Sequence, residues 1–323
     1  MKRKLVLVSL CVGALLIGGC QMTKSYSIEE ITEGGKIDVE KAKASGYVTM
    51  EEKEKLGYYT PEVSSNKGVI KKANKQKDEI YKHMTEVIED SLGRKIRILG
   101  MDAPFPYDAV DVSFASLEEP IVKDSVTLGL SDSGYFNEGA IKGETGNGFQ
   151  QLVVEGLYAM AYRNEIKQMT EYIQKTYPQY EAYAPNKLDA ANNINPFISI
   201  AFGVPLKQVE RREEAKKEKA KLFGLYKENP NRSDEEWQLL FEQMNFLDYT
   251  IFVQLVVKDP TVLPTDAYAN DILEDIKTNP LFSNYYGYTV AIQSNFQDTK
   301  SNSNLLSRTQ FWNSDDIKQG GES

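Results

Sequence analysis

Few residues of this chain have types that could do chemistry, and its two cysteines are among them. The 323 residues contain Cys11, Cys20 and a single histidine, His83. Two thiols cannot form a disulfide framework, and one imidazole cannot build a His-rich metal site. A thiol can still be modified covalently, and Cys20 directly follows two small residues, Gly18 and Gly19. The surroundings of Cys20 therefore decide which chemistry the sequence predicts first.

The first twenty residues have the order of an export signal. A cationic start at residues 2–4 precedes an almost uninterrupted apolar run, Leu5 to Ile17. That run is shorter than the ~20 apolar residues that span a bilayer, which disfavours the alternative of an uncleaved anchor. It ends in Ile17-Gly18-Gly19-Cys20, which resembles the lipobox of bacterial lipoproteins. The resemblance implies cleavage before Cys20 and attachment of lipid to its thiol.

Processing at this site would change the character of the chain. Removal of residues 1–19 takes away Cys11 and three cationic residues, so the formal charge changes from −9 to −12 and no free thiol remains. Two or three acyl chains on Cys20 would anchor the protein stably to the outer face of the cell membrane. Anionic headgroups repel a domain of this charge, so we expect the lipid alone to hold it there. An acidic chain is also a poor candidate for binding nucleic acid.

Two further places could support catalysis, but neither has a recognisable partner. His83 lies at the edge of the apolar stripe of a predicted helix, and general acid–base catalysis needs a positioned partner. Ser64 and Lys67 have the Ser-x-x-Lys spacing of penicillin-interacting enzymes. No Ser-Asp-Asn or Lys-Thr-Gly segment follows them. We therefore expect no catalytic residue.

Candidate anion and cation sites are similarly incomplete. The segment from Gly143 to Gly148 leads into a predicted helix, where backbone N–H groups could hold an anion. It lacks the lysine of a P-loop and the spacing of a dinucleotide fingerprint. Oxygen atoms that suit calcium occur in Asp132, Ser133, Asn137 and Glu138. Their spacing differs from that of an EF-hand loop, so we expect no cofactor and no metal.

The chain also has 19 tyrosines, which could line a sugar- or peptide-binding surface by stacking. Many of them, including Tyr158, Tyr172 and Tyr288, fall at positions compatible with a core. Most of the tyrosines are therefore expected to be structural.

Helical periodicity predicts two long amphipathic helices, at residues 68–92 and 149–177, ending at Gly93 and Pro178. A charged helix is predicted over 207–227. Ser233 and Glu236 have the spacing of a capping box that begins a further helix.

Alternating apolar residues predict strands between and after these helices. Residues 94–100, 109–116 and 121–130 form a predicted antiparallel meander. The stretch Tyr249–Val257 is apolar on both faces, which is typical of a central strand. A helix and a strand at 285–294 follow, and together they predict a β-α-β crossover. The predicted fold class is α+β, with antiparallel sheets packed against the two long helices.

Composition shifts divide the chain further. We expect a signal peptide at 1–19 and a lipid-anchored, partly ordered tether at 20–65. A globular α+β domain follows at 66–296, with a sub-boundary near 178–206. The residues from 297 to 323 form a predicted polar tail that is frayed.

Part of the sequence resembles a known family. Glu155-Gly156-Leu157-Tyr158-Ala159-Met160-Ala161-Tyr162, continuing to Tyr177-Pro178, is similar to the central helix of a family of uncharacterised lipoproteins. These occur in low-GC Gram-positive bacteria such as staphylococci and bacilli. The Ile96–Gly100 and Val110–Phe114 stretches and the segment 249–294 fit the same pattern, so the resemblance covers about residues 45–300. It implies a lipoprotein with a domain of unknown function and implies no catalytic or binding residues.

The function expected from these observations is a non-enzymatic binding or interaction module at the cell surface. One alternative is the solute-binding receptor of a transporter, which would need two α/β lobes. The other is a carboxylate-dependent envelope hydrolase, which would need two facing acids with raised pKa values.

Cys20→Ala should abolish metabolic lipid labelling and release or mis-sort the protein, because the acyl chains have no other attachment site in the mature chain. Labelling with a radioactive or clickable fatty acid measures this directly. Full labelling of the variant would exclude Cys20 as the lipid site.

Overall fold

The structure of the protein is a computed structural model. It describes residues 25–56, 66–103, 107–130, 136–142, 147–182, 197–202, 209–245, 248–283, 285–299 and 304–313. The α-helices within these residues are α1 (Ile28–Ile31), α2 (Val39–Ala44), α3 (Met50–Leu56), α4 (Lys67–Asn74), α5 (Lys77–Leu92), α6 (Asn147–Ala161), α7 (Arg163–Thr176), α8 (Val209–Glu228), α9 (Asp234–Glu242) and α10 (Asp266–Thr278). The strands are β1 (Tyr47–Thr49), β2 (Ile96–Asp102), β3 (Ala109–Ser116), β4 (Lys123–Leu130), β5 (Phe136–Lys142), β6 (Tyr180–Ala182), β7 (Ile198–Phe202), β8 (Tyr249–Val257), β9 (Gly287–Gln293), β10 (Phe296–Asp298) and β11 (Ser307–Asn313). The fold is α+β, as the sequence predicts.

A four-stranded antiparallel sheet has the order β2-β3-β4-β5 and contains the predicted meander. The bounds of β3 coincide with the predicted strand, because its apolar residues alternate cleanly. β5 is not predicted from the sequence. Its residues show little alternation, and pairing with the outer edge of β4 supplies the hydrogen bonds that make it a strand.

A five-stranded sheet has the order β11-β9-β8-β6, and β7 also pairs with β8. The prediction that β8 is a central strand is confirmed, since it pairs with β9 on one side and with β6 and β7 on the other. β8 and β9 are parallel, and α10 connects them, which confirms the β-α-β unit. Among the described residues, every helix is too short or too polar to cross a bilayer.

The two long helices of the prediction are each divided. α4 and α5 replace the first, and α6 and α7 replace the second, with a break at Tyr162. α6 packs against α8, α9 and β7, whereas α7 packs against a short 3-10 helix at Pro280–Phe282. A straight helix could not reach both sets of partners, so tertiary packing overrides the continuous periodicity.

Local signals mark several helix ends correctly. Gly93 ends α5 with φ of 71°, in the left-handed region that favours glycine. The capping box of α9 is complete: Glu236 N–H donates to Ser233 Oγ at 3.2 Å, and Ser233 N–H donates to Glu236 Oε2 at 2.8 Å. Such contacts involve neighbours in sequence, which is why they are readable without the fold.

The segments expected as a tether and a tail contain regular structure within the described residues. Residues 25–56 form α1–α3 and β1, and β1 pairs antiparallel with β10. A small core lies beneath them, made of Ile31, Ile37, Ala42, Phe296 and Leu305. In the expected tail, β11 forms an edge strand beside β9. Its alternate residues pack on α10, and this long-range contact gives order to a polar sequence. We call α1–α3, β1 and β10 the N-terminal unit.

Asn295 joins the N-terminal unit to the five-stranded sheet. Its Nδ2 donates to the carbonyl oxygens of Val257 at 3.0 Å and Lys258 at 3.1 Å, at the end of β8. Its Oδ1 accepts a hydrogen bond from the Met50 N–H at 3.1 Å. One buried amide therefore serves backbone groups on both sides of the junction.

Lys53 provides a second polar contact inside the N-terminal unit. Its side chain is buried, and its Nζ donates to the carbonyl oxygens of Asp298 at 3.0 Å and Thr299 at 3.3 Å. Burial lowers the pKa of this ammonium group, and the charge of Asp298 partly opposes that shift. The contact ties α3 to the end of β10.

Lys53→Met should lower the free energy of unfolding by about 2 kcal/mol, because the apolar chain fills the space but leaves two carbonyl groups without their donor. Chemical denaturation measures the change. Lys55→Met is the matched control, since Lys55 lies on the same helix, is exposed and pairs with exposed Glu51. It should change stability by less than about 0.5 kcal/mol. Equal effects of the two substitutions would contradict the role assigned to Lys53.

Candidate functional site

One face of the five-stranded sheet is covered by helices. Side chains at alternate positions of β8 and β9 are buried there, namely Ile251, Val253, Leu255, Val290 and Ile292. α10 packs on β9 and β11, and α6 packs on β7. Tyr158 of α6 also stacks on Tyr249 of β8, with ring centroids 4.2 Å apart. Both helices therefore lie on the same side of the sheet.

The opposite face carries side chains that are half-buried or exposed. We call it the open face, and it comprises Ser199, Ala201, Thr250, Phe252, Gln254, Thr289, Ala291, Ser307, Thr309 and Phe311. Side chains alternate between the two faces of a sheet, so the register of the strands sets this group. Within the described part of the chain, no helix packs on this face.

One row of the open face crosses four strands. Ser199 of β7 lies opposite Phe252 of β8, which lies opposite Thr289 of β9, which lies opposite Phe311 of β11. Neighbouring strands are ~4.8 Å apart, so the two phenylalanines stand about 10 Å apart along the row. Phe311 is 70% exposed. The row presents two aromatic rings separated by a hydroxyl.

The neighbouring row of the open face, which contains Ala201 and Thr250, has no side chain at its β9 position because that position is Gly287. A Cβ atom at Gly287 would lie 3.1 Å from Thr250 Oγ1 and 3.2 Å from the Trp312 carbonyl oxygen. Contacts this short are tighter than most real Cβ contacts, so a larger residue here would make Thr250 or the backbone of β11 shift by a few tenths of an ångström. The absent side chain leaves the face shallow beside the aromatic row.

The ten residues of the open face include no charged side chain, although 26% of the chain is charged, and the carboxylate of Glu181 lies on the same side of the sheet in β6. Its side chains offer hydroxyl and amide groups, methyl groups and two aromatic rings. Such a surface can form neutral hydrogen bonds and stacking contacts, but it has no group to neutralise an ionic ligand.

The N-terminal unit closes one end of the open face. Val256 and Gln293 continue the face but are buried, and Gln293 Oε1 accepts a hydrogen bond from Asn304 Nδ2. Glu181 lies opposite Val256, and its Oε1 accepts a hydrogen bond from Asn295 at 3.2 Å. The pKa of the Glu181 carboxyl is raised, mainly because the group is partly buried. The charge of Lys258 and the hydrogen bond from Asn295 oppose this shift, whereas the charge of Glu51 adds to it. Glu181 thus belongs to the junction at the closed end.

Several residues singled out in the sequence lie outside the described residues: Cys20, Ser64, Asp132, Ser133 and 143–146. Nothing in the structure tests their predicted roles. Among the described residues, no three His, Cys, Asp or Glu side chains are grouped as metal ligands.

The remaining candidates fall on regular elements. Asn137 and Glu138 lie in β5, and Gly148 is in the first turn of α6. Lys67 begins α4. His83 lies half-buried on α5, beside the buried Met84, at the edge of the stripe as predicted. The structure brings none of these residues onto the open face.

The tyrosines expected to be structural occupy core positions. Tyr158 stacks on Tyr162 with ring centroids 4.3 Å apart and meets Phe241 edge-on at 5.2 Å. Burial raises the pKa of Tyr158 and raises that of Tyr285 to about 12. Tyr172 donates from its hydroxyl to Asp275 Oδ2 at 2.7 Å, which joins α7 to α10. Stacking here stabilises helix packing.

The sequence does contain a signal for the open face. Thr250 and Gln254 of β8, and Thr289 and Ala291 of β9, are polar or small at alternate positions. Phe252 and Val256 conceal this pattern, because they make β8 apolar on both sides. Only the pairing of four strands shows that these positions share one face.

Phe311→Thr should change the free energy of unfolding by less than about 0.5 kcal/mol, because the ring is largely exposed and threonine suits a strand. Val290→Thr is the matched change on the covered face of the same sheet. It should cost about 2 kcal/mol, since it buries a hydroxyl. Chemical denaturation measures both, and a large loss for Phe311→Thr would show that the open face is covered.

Comparison with known proteins finds a solved structure with a similar fold and a matching family. A crystal structure of a DUF1672 family protein from Staphylococcus aureus subsp. aureus Mu50 is similar, with a TM-score of 0.56 and 15% sequence identity, over 82% of this chain and 97% of that chain. A crystal structure of a DUF5037 family protein from Ruminococcus gnavus ATCC 29149 reaches a TM-score of only 0.24 at 13% identity, over 68% of this chain and 76% of that chain. No curated protein matches. The model of the family described as "Protein of unknown function (DUF1672)" matches residues 40–311, and the chain therefore belongs to the DUF1672 family.

Proposed function

We propose that the protein is a lipid-anchored, extracytoplasmic binding module whose open face holds an uncharged glycan strand. The anchor is the lipid on Cys20, and the proposal for it rests on the order of charges and apolar residues in 1–20 and on the lipobox. The binding role rests on the open face.

The observation that carries the binding role is the uncharged row with Phe252 and Phe311. Aromatic rings pack against the apolar C–H faces of sugars, and hydroxyl groups such as that of Thr289 hydrogen-bond to sugar hydroxyls. Two rings on one row suit an extended strand of sugars better than a single small ring. A shallow sheet face gives such a strand room to lie flat.

The chemistry of the face disfavours the other kinds of ligand. An ionic ligand would lose its hydration without gaining a charged partner. The core of a stable protein interface is richer in large apolar anchors than this face, where hydroxyl, amide and small side chains predominate. A neutral, hydroxyl-rich polymer matches it best.

The test measures binding of a hexamer of N-acetylglucosamine to the detergent-solubilised full chain by calorimetry. Phe311→Thr should weaken binding about tenfold, because one stacking contact is lost. Leu239→Ala is the matched control: Leu239 is an apolar residue on α9 that is 59% exposed, away from the sheet. It should bind like the wild type.

The same experiment separates the alternatives. Absence of hexamer binding, or equal binding by Phe311→Thr, would contradict the proposal. Binding of the monosaccharide as tightly as the hexamer would instead favour a solute-binding receptor. Shortening of the hexamer during the measurement would favour a hydrolase.

A further inference from the structure

The sequence around α4 has a charge opposite to that of the chain. Residues 66–77 contain five lysines and no acidic residue, although the whole chain has a formal charge of −9. Four of these lysines, Lys67, Lys71, Lys72 and Lys75, follow one another around α4 and its C-cap; we call them the lysine face. The acidic residues nearest in sequence, Asp78 and Glu79, begin the next helix.

The geometry of α4 places these four charges on one side. At 3.6 residues per turn, they span an arc of about 140°. Val69, Ile70 and Ala73 are buried on the other side. Lys75 keeps helical backbone angles, with φ of −71° and ψ of −20°, so it continues the spiral. All four lysines are exposed.

Three of the charges are not compensated by neighbours in the described structure. Lys71, Lys72 and Lys75 form no ion pair with a described residue. Some lysines elsewhere on the surface do so: Lys216 pairs with Glu213 at 2.8 Å, and Lys217 pairs with Glu214 at 2.6 Å. The lysine face is thus a cationic surface on an acidic protein, available to an external anion.

Hydrogen bonds of Asn66 attach the start of α4 to the neighbouring chain. Asn66 caps α4, since its Oδ1 accepts a hydrogen bond from the Val69 N–H at 3.2 Å. The Asn66 N–H donates to the Ala103 carbonyl at 2.9 Å, and its Nδ2 donates to the Tyr107 carbonyl at 3.2 Å. Tyr107, which is 64% exposed, therefore lies beside the start of α4 and is followed by exposed Asp108.

We propose that the lysine face docks the protein onto anionic lipid headgroups of the membrane that holds its anchor. The proposal rests on the lipid anchor of the proposed function, because tethering gives a weak electrostatic contact a high effective concentration. Exposed lysines beside a membrane are each attracted to anionic lipid, and an exposed tyrosine suits the interfacial region. Acidic residues farther than ~8 Å from the lysine face repel the headgroups only weakly, since salt screens charges beyond that distance. The lipid is then not the only contact with the membrane.

Lysine protection tests this docking on the lipidated full chain in vesicles. The vesicles contain phosphatidylcholine alone or phosphatidylcholine with phosphatidylglycerol. A membrane-impermeant amine reagent followed by mass spectrometry gives the reaction rate of each lysine. Lys71, Lys72 and Lys75 should react about fivefold more slowly on the anionic vesicles, and ~1 M salt should remove the difference. Lys216 and Lys217 on α8 should react equally on both.

A triple variant, Lys71→Gln, Lys72→Gln and Lys75→Gln, checks the cause. In this variant, Lys67 and Lys77 should react with the amine reagent equally fast on both kinds of vesicle, because the remaining charge is too small for docking. The matched double variant, Lys216→Gln and Lys217→Gln, should keep the slower reaction of Lys67 and Lys77 on the anionic vesicles. All these positions are exposed, and far-UV circular dichroism verifies that both variants are folded.

The outcomes separate this proposal from the anchor on which it rests. A protein that fails to float with either kind of vesicle would contradict the anchor. A protein that floats with both but shows equal lysine reactivity would contradict docking alone. Protection by soluble poly(glycerol phosphate), without protection by anionic vesicles, would overturn the lipid assignment in favour of a phosphate polymer.

Discussion

Burial of one face of β8 is the constraint on which the rest of the structure depends. β8 pairs in parallel with β9, and a parallel pair needs a crossover connection, which α10 provides. α10 and α6 both cover the side that carries Ile251 and Val253. Because both helices lie on that side, the other side of the sheet keeps its half-exposed side chains. The candidate binding surface is a direct consequence of this one-sided packing.

The N-terminal unit gives this arrangement a defined end. It is small, and its own core would stabilise it little, but buried polar groups attach it to the sheet. Asn295 contacts backbone on both sides of the junction, and Lys53 holds α3 against β10. Buried polar groups of this kind are costly when unpaired, so they favour one relative position of the two parts. The open face is consequently closed at one end, and its remaining side chains are half-buried or exposed.

Sequence periodicity predicted the elements whose burial follows from local pattern. β3 and β8 have clean alternation, and the ends of α5 and α9 carry a glycine or a capping box. Sequence periodicity does not predict the elements whose bounds depend on residues far away in the chain. β5 exists because β4 offers an edge, and α6 separates from α7 because each packs on different elements. The part of the open face that β8 contributes is concealed in the sequence, because Phe252 and Val256 make β8 apolar on both sides.

The sequence by itself determined the fold class, the central strand, several helix ends and the cationic stretch of α4. These depend on neighbours a few residues apart, which interact in any conformation that forms the element. The tertiary structure alone decided which strands share a face, which face the helices cover, and that the polar segments 25–56 and 307–313 are ordered. Those outcomes depend on hydrogen bonds and packing contacts between residues far apart in the chain. A local sequence pattern does not show which distant segment a strand or helix will contact.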